Sequence, residues 1–110
     1  MVNQGDIVKV NFNPQSGHEQ AGHRPAVVIS NNTFNGRTNL TIVCPITNNV
    51  RPFPLHVPLD ERTQTTGVVL CEHIRALDLN ARDFYVVEHL PDDLLAEVIS
   101  TVFSEIEIGF

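Results

Sequence analysis

Apolar and polar residues alternate from Asp6 to Asn13, with Val8, Val10 and Phe12 set to face a core and Lys9, Asn11 and Asn13 set to face out. Period-two patterning of this kind specifies a strand. It recurs in short runs down most of the chain, and a helical period takes over only after Pro91. A chain built this way must fold as short strands around a small core, closed by one C-terminal helix. Arg24 to Ser30 is a second strand, with Ala26-Val27-Val28-Ile29 as its buried part. Leu40 to Thr47 is a third: Leu40, Ile42, Cys44 and Ile46 share one face, and Thr41, Val43 and Thr47 share the other. Leu55 to Leu59 is a short strand. Gly67 to Leu77 is the longest β-like run, and Phe84 to Val87 adds one more strand.

The segments between them are polar. Pro14 to His23, with Gly17 and Gly22, reads as a long hairpin loop. Asn31 to Asn39 reads as a connection with a turn signal at Asn35-Gly36. Asn48 to Pro54 sets Arg51 and Phe53 between prolines. Beyond Pro91, residues Leu94, Leu95, Val98, Ile99, Val102, Phe103 and Ile106 fall on one helical stripe, expected to lie against the barrel. Pro91 suits the first helical position, and Asp92 and Asp93 suit the positive end of the helix dipole. The 110 residues are expected to form one domain, a small twisted barrel of six or seven strands with a C-terminal helix.

Composition narrows the function. Hydrophobic residues are 42% of the chain and charged residues 18%, which is globular and not disordered. No apolar run approaches the roughly 18 residues of a membrane span. The N-terminus shows no basic-then-apolar pattern of a signal peptide, so a cytoplasmic location is expected. Cys44 and Cys71 lack metal-ligand spacing and read as buried small hydrophobes. The net charge of −6 argues against a polyanionic partner when taken whole. By segment it does not. From Asp83 to Phe110 there are seven acids and no Lys or Arg, which leaves six acids and seven bases before that point.

No Gly-rich phosphate loop, HExxH or CxxC occurs. The remaining polar groups at strand ends and in the first loop are His18, Glu19, Gln20, His23, Arg24, Thr47, Asn48, Glu72 and His73. Arg24 can clamp a phosphate with its fork of donors, or form a surface ion pair. Thr47 can donate a hydroxyl to a phosphate oxygen, or serve β-propensity alone. His18, in a loop, can shuttle protons or stand in solvent. His23 adds positive charge beside Arg24. Glu72, alone in an apolar run, either pairs with a cation or acts as an acid or base. Phe53 beside Arg51 can stack a nucleobase or pack on the barrel.

The order of these groups is more specific than any one of them. Gly5-Asp6-Ile7-Val8, then Gly17-His18-Glu19-Gln20-Ala21-Gly22-His23-Arg24-Pro25-Ala26-Val27-Val28, then Cys44-Pro45-Ile46-Thr47 and Thr66-Gly67-Val68-Val69 together resemble the MazF/PemK toxins of bacterial toxin–antitoxin systems. The similarity runs on through Arg75-Ala76-Leu77-Asp78 and Ala81-Arg82 to the onset of the last helix. The resemblance implies a mainly β fold, an SH3-like barrel with a C-terminal helix, assembled as a homodimer. It implies a cofactor-free, metal-independent endoribonuclease acting on single-stranded RNA. The family's reaction is attack of a ribose 2′-hydroxyl on the adjacent phosphate, which leaves 2′,3′-cyclic phosphate and 5′-hydroxyl ends.

By the same resemblance Arg24 and Thr47 fall on the family's catalytic Arg and Thr, and His18 on the loop His of the plasmid-encoded branch. Arg24 and Thr47 would stabilise the phosphorane, and His18 or Glu72 would move protons. Lys9, Gln20, His23, Asn48, Arg51 and Phe53 are the expected RNA contacts. Two departures stand out: Leu70 and Glu72 replace an Arg and an Asp of that branch, and Lys9 replaces a frequent Trp. The expected protein partner is an antitoxin whose acidic and apolar tail folds into the RNA groove. The alternative function is a non-catalytic poison of DNA gyrase, built on a related barrel and acting through its C-terminal helix.

Overall fold

The computed structural model describes residues 2–12, 23–49 and 51–109. Seven strands and two helices follow in chain order: β1 (Asp6–Asn11), β2 (His23–Val28), α1 (Asn32–Arg37), β3 (Thr41–Thr47), β4 (His56–Pro58), β5 (Val68–Leu70), β6 (Arg75–Leu77), β7 (Phe84–His89) and α2 (Asp92–Ile106). All strand pairs are antiparallel. The sheet runs β4-β5-β3-β2-β1-β7, with β6 also on β3. It is a twisted, barrel-like sheet that backbone pairing does not close, with the helix at the C-terminal end as expected.

Both faces of the central strands are buried. One face carries Ile7, Val27, Cys44, Ile46 and Val69, and α2 covers it with Leu94 and Val98. The other carries Val8, Val10, Phe12, Ala26, Val28 and Val43, with Leu77 and Leu79 beside them. This explains why β2 reads as a continuous apolar run and not an alternating one. No helix among the described residues is long and apolar enough to cross a membrane.

Four expectations are corrected. The segment Asn31–Asn39 is not a plain connection: it holds α1, started by Asn31, whose Oδ1 accepts from the Phe34 N–H at 2.8 Å. Asn35-Gly36 therefore lies in a helical turn, because the Asn31 cap starts a helix that carries through the pair in place of the tight turn that Asn-Gly otherwise forms. The run Gly67–Leu77 is two strands, β5 and β6, joined by a corner at Cys71–Ile74. β5 pairs with the far end of β3 and β6 with its near end, so the chain must bend between them.

Pro91 flanks α2 as its cap residue and does not open it. It lacks an N–H but still supplies the carbonyl that accepts from Leu95 N at 2.9 Å. Finally, the helical stripe does not all meet the barrel. Leu94 and Val98 are buried, whereas Phe103 is 63% and Ile106 64% exposed: in the last turn of α2 it is Glu105, with a buried Oε2, that turns inward.

Candidate active site

Pro25, the third residue of β2, restricts the residue before it to extended backbone, which keeps Arg24 in strand conformation as the second residue of β2. β2 and β3 pair with Ala26 opposite Pro45. Carried two residues on, that register brings Arg24 and Thr47 to the same end of the same face. That face is the one opposite α2, because Arg24 shares the parity of Ala26 and Val28, and Thr47 that of Val43. The two side chains line one cleft of about 410 Å³. Arg75 and His73 line it too, over a floor that includes Phe12 and Leu70.

Each polar group in the cleft has a local reason for its position. The Thr47 Oγ1 accepts from the Asn49 N–H at 3.1 Å, which leaves the hydroxyl proton to donate into the cleft. Gly67 (φ +115°) lets the start of β5 approach the Thr47 carbonyl so closely that a Cβ would stand 2.3 Å from its oxygen. The Arg75 guanidinium lies 4.9 Å from the centroid of the Phe12 ring, a cation–π contact that holds the charge at the cleft wall. His73 sits in the corner after β5, where its N–H donates to Leu70 O at 3.0 Å. Its side chain is 58% exposed.

Glu72 does not line this cleft; it stands behind His73. Its Oε2 is 2.9 Å from His56 Nε2 and 3.7 Å from His73 Nε2. Burial pushes the Glu72 carboxyl up, but a hydrogen bond from its own backbone, the bond from His56 and attraction to both imidazoles outweigh this. The net result is below the ordinary carboxylate range. Glu72 is thus held ionised. On α2, burial and then the nearby Glu72 raise the Glu105 carboxyl. Burial pushes the Cys44 and Cys71 thiols up to about 12, helped at Cys44 by Cys71, Glu105 and Glu72 and at Cys71 by Glu105, Glu72 and Glu97. Both thiols are buried and stay protonated at neutral pH, in keeping with a packing role.

The remaining expected contacts scatter. His18 and Gln20 lie outside the described residues. His23 Nε2 is 3.1 Å from Asp83 Oδ2, and its ring lies 5.5 Å from that of Tyr85. Phe53 is half exposed, with its ring 5.1 Å from His56, and Arg51 is exposed. Lys9 and Asn48 do not join Arg24. They line a separate cleft with Pro25 and Thr66, where Asn48 Oδ1 accepts from Thr66 Oγ1 at 3.0 Å. Strand parity puts them on the other face, since Lys9 follows Ile7 and Asn48 follows Ile46.

Arg75 is the group that residue-by-residue reading passes over. An eleven-residue β-like run is about twice the usual strand length, and that excess is the signal that a corner should bring a second part of it back to the cleft. Among the described residues, no carboxylate lines the cleft, which carries two guanidiniums, an imidazole and a hydroxyl. Such a set receives a phosphate and stabilises added negative charge on it.

A family model described as "PemK-like, MazF-like toxin of type II toxin-antitoxin system" matches residues 3–104. The chain is 36% identical over 102 residues to the endoribonuclease PemK of Escherichia coli, covering 89% of this chain and 77% of that one. It is 39% identical over 109 residues to the endoribonuclease toxin ChpB of E. coli K12, covering 94% and 93%. The crystal structure of MazF from Deinococcus radiodurans superposes with a TM-score of 0.84 at 39% identity over 97% of each chain. A MazE–MazF crystal structure from the same organism gives 0.83 at 33% identity, over 98% of this chain and 97% of that one. With 102 of its residues matched by the model and its fold shared end to end, the chain belongs to the PemK-like, MazF-like toxin family of type II toxin–antitoxin systems.

Proposed function

We propose that this toxin is an endoribonuclease that cuts single-stranded RNA at the Arg24–Thr47 cleft. The observation that carries the reading is the meeting of Arg24, Thr47 and Arg75 in one cleft free of carboxylates among the described residues. The reaction is attack of a ribose 2′-hydroxyl on the adjacent phosphorus, giving 2′,3′-cyclic phosphate and 5′-hydroxyl ends. Arg24 and the Thr47 hydroxyl bind the non-bridging oxygens, whose negative charge grows toward the phosphorane. The charge that does this comes from side chains, so the reaction proceeds in chelator. RNA is read single-stranded, with flanking bases splayed over the segments around the cleft, His23, Arg51 and Phe53 among them.

The working form is a homodimer in the cytoplasm, held in check by an antitoxin. The antitoxin lays an acidic and apolar tail into the RNA groove, as complementary charge favours. The Deinococcus relative solved as a MazE–MazF complex supports the partnership.

The test is incubation of the purified protein with a long single-stranded RNA plus chelator. Discrete fragments ending in 2′,3′-cyclic phosphate are expected. Arg24→Ala and Thr47→Ala should each slow cleavage by at least about 10²-fold while keeping fold and dimer. Folded variants with full activity would overturn the assignment. Intact RNA combined with gyrase inhibition would favour the poison reading.

A further inference from the structure

We propose that His73 is the proton-transfer group of the cleft, with Glu72 as its positioning residue. This rests on the ribonuclease reading above and deepens it. Sequence offers His18 and Glu72 for this role. Glu72, however, stands outside the cleft wall, and His73 is the imidazole that shares the cleft with Arg24 and Thr47.

The arrangement has the parts of a base held by a third group. His73 is more than half exposed toward the cleft, and its Nε2 lies at ion-pair distance, 3.7 Å, from Glu72 Oε2. Glu72 is in turn fixed by His56 at 2.9 Å, and the Phe53 ring packs on His56. The other Glu72 oxygen, Oε1, is buried without a hydrogen-bond partner among the described residues. A carboxylate held on one side and buried on the other cannot reach substrate. It can orient a neighbouring imidazole, as a carboxylate does behind a catalytic histidine.

Charged groups face His73 from each packed element: Arg24 on β2, Arg75 on β6 and Glu72 on the same corner. Behind Glu72 stand His56 on β4 and Glu105 on α2. In the step itself, His73 takes the 2′-hydroxyl proton as the 2′-oxygen–phosphorus bond forms. The phosphorus–5′-oxygen bond then breaks, and the imidazolium returns the proton to the 5′-oxygen. Atoms and charge balance with no co-reactant.

Cleavage of a single-stranded oligonucleotide is measured in single turnover from pH 5 to 9, with chelator, on the full chain. Wild type should lose rate on the acid side as the imidazole protonates. His73→Ala and His73→Gln should fold normally, cut 10²- to 10⁴-fold more slowly and lose that acid limb. Glu72→Gln should keep the limb and cut more slowly at every pH, because the carboxylate that holds the imidazole in place is gone. His18→Ala should keep the limb in place. Either His73 variant with wild-type rate and limb overturns the proposal, as does loss of the limb in His18→Ala or Glu72→Gln. If wild type cuts and Arg24→Ala does not, the ribonuclease reading stands whatever His73 does. If wild type cuts no RNA, both readings fall.

Discussion

The Thr47 hydroxyl depends on a residue that carries no side chain. Gly67 holds a positive φ, which L side chains rarely adopt, and a Cβ there would stand 2.3 Å from Thr47 O and 2.7 Å from Thr47 C. Both obstacles are backbone, so neither can swing aside. Gly67→Ala should therefore cost about 1–3 kcal/mol in backbone strain alone and push the end of β3 away from Arg24. Cleavage should drop although the Arg24 and Thr47 side chains are unchanged. Gly36, inside α1, is the control: its φ is not positive and nothing lies within 4 Å of an added Cβ. Gly36→Ala should stabilise by about 0.5–1 kcal/mol and leave cleavage alone. Urea unfolding and single-turnover rates on the two variants check the opposite signs. A Gly67→Ala protein with unaltered stability would mean that β5 does not set the position of Thr47.

At the scale of elements, the sheet has two free ends, β4 and β7, and a side chain joins them where no ladder does. Glu88 on β7 accepts from Gln64 N at 3.1 Å, Thr65 N at 2.9 Å and Thr65 Oγ1 at 2.7 Å, in the connection between β4 and β5. Burial raises its carboxyl, but the Thr65 and Gln64 bonds prevail and bring it below the ordinary range. A carboxylate with a depressed folded-state pKa adds stability above its unfolded value and loses it as pH falls through the folded one. Stability should thus drop below about pH 4.5. Glu88→Gln should flatten that part of the curve and cost about 1–3 kcal/mol at pH 7, read by thermal unfolding from pH 3 to 7. This closure was not legible in the sequence, because Glu88 and Thr65 are linked only through the turn of the sheet. Strands β1, β2 and β3 were legible, since Val8, Val10 and Phe12 and then Ile42, Cys44 and Ile46 carry the period directly. Arg24 and Thr47 came from motif order. The corner at 71–74 was hidden because Cys71, Ile74 and their neighbours are as β-prone as the strands they join, and no Gly or Pro marks the bend. With the corner hidden, the place of His73 and Arg75 in the cleft was hidden too. Lys9 was read as facing solvent opposite one core, whereas both faces of β1 are covered, which sends it to the α2 side.

For the whole molecule, charge is divided by face. The acids of α2 and its flanks lie across the sheet from Arg24 and Arg75, so a net charge of −6 coexists with a positive cleft. RNA held there should lose affinity with salt, but shallowly. Two phosphate contacts at about 0.7 each give a slope near −1.4 in log K against log salt, or about a sevenfold loss between 50 and 200 mM. Binding is best measured on Thr47→Val, which keeps the shape of Thr47 without its hydroxyl. Arg75→Gln in that background should reduce the slope by about 0.7 and weaken binding similarly for every sequence, as loss of a phosphate contact does. Lys9→Gln should change neither by as much, because Lys9 opens onto the other face. If instead the slope answers to Lys9 and ignores Arg75, the RNA backbone runs along the α2 side of the sheet. The Arg24–Thr47 cleft would then be reached by a single nucleotide and not by the strand.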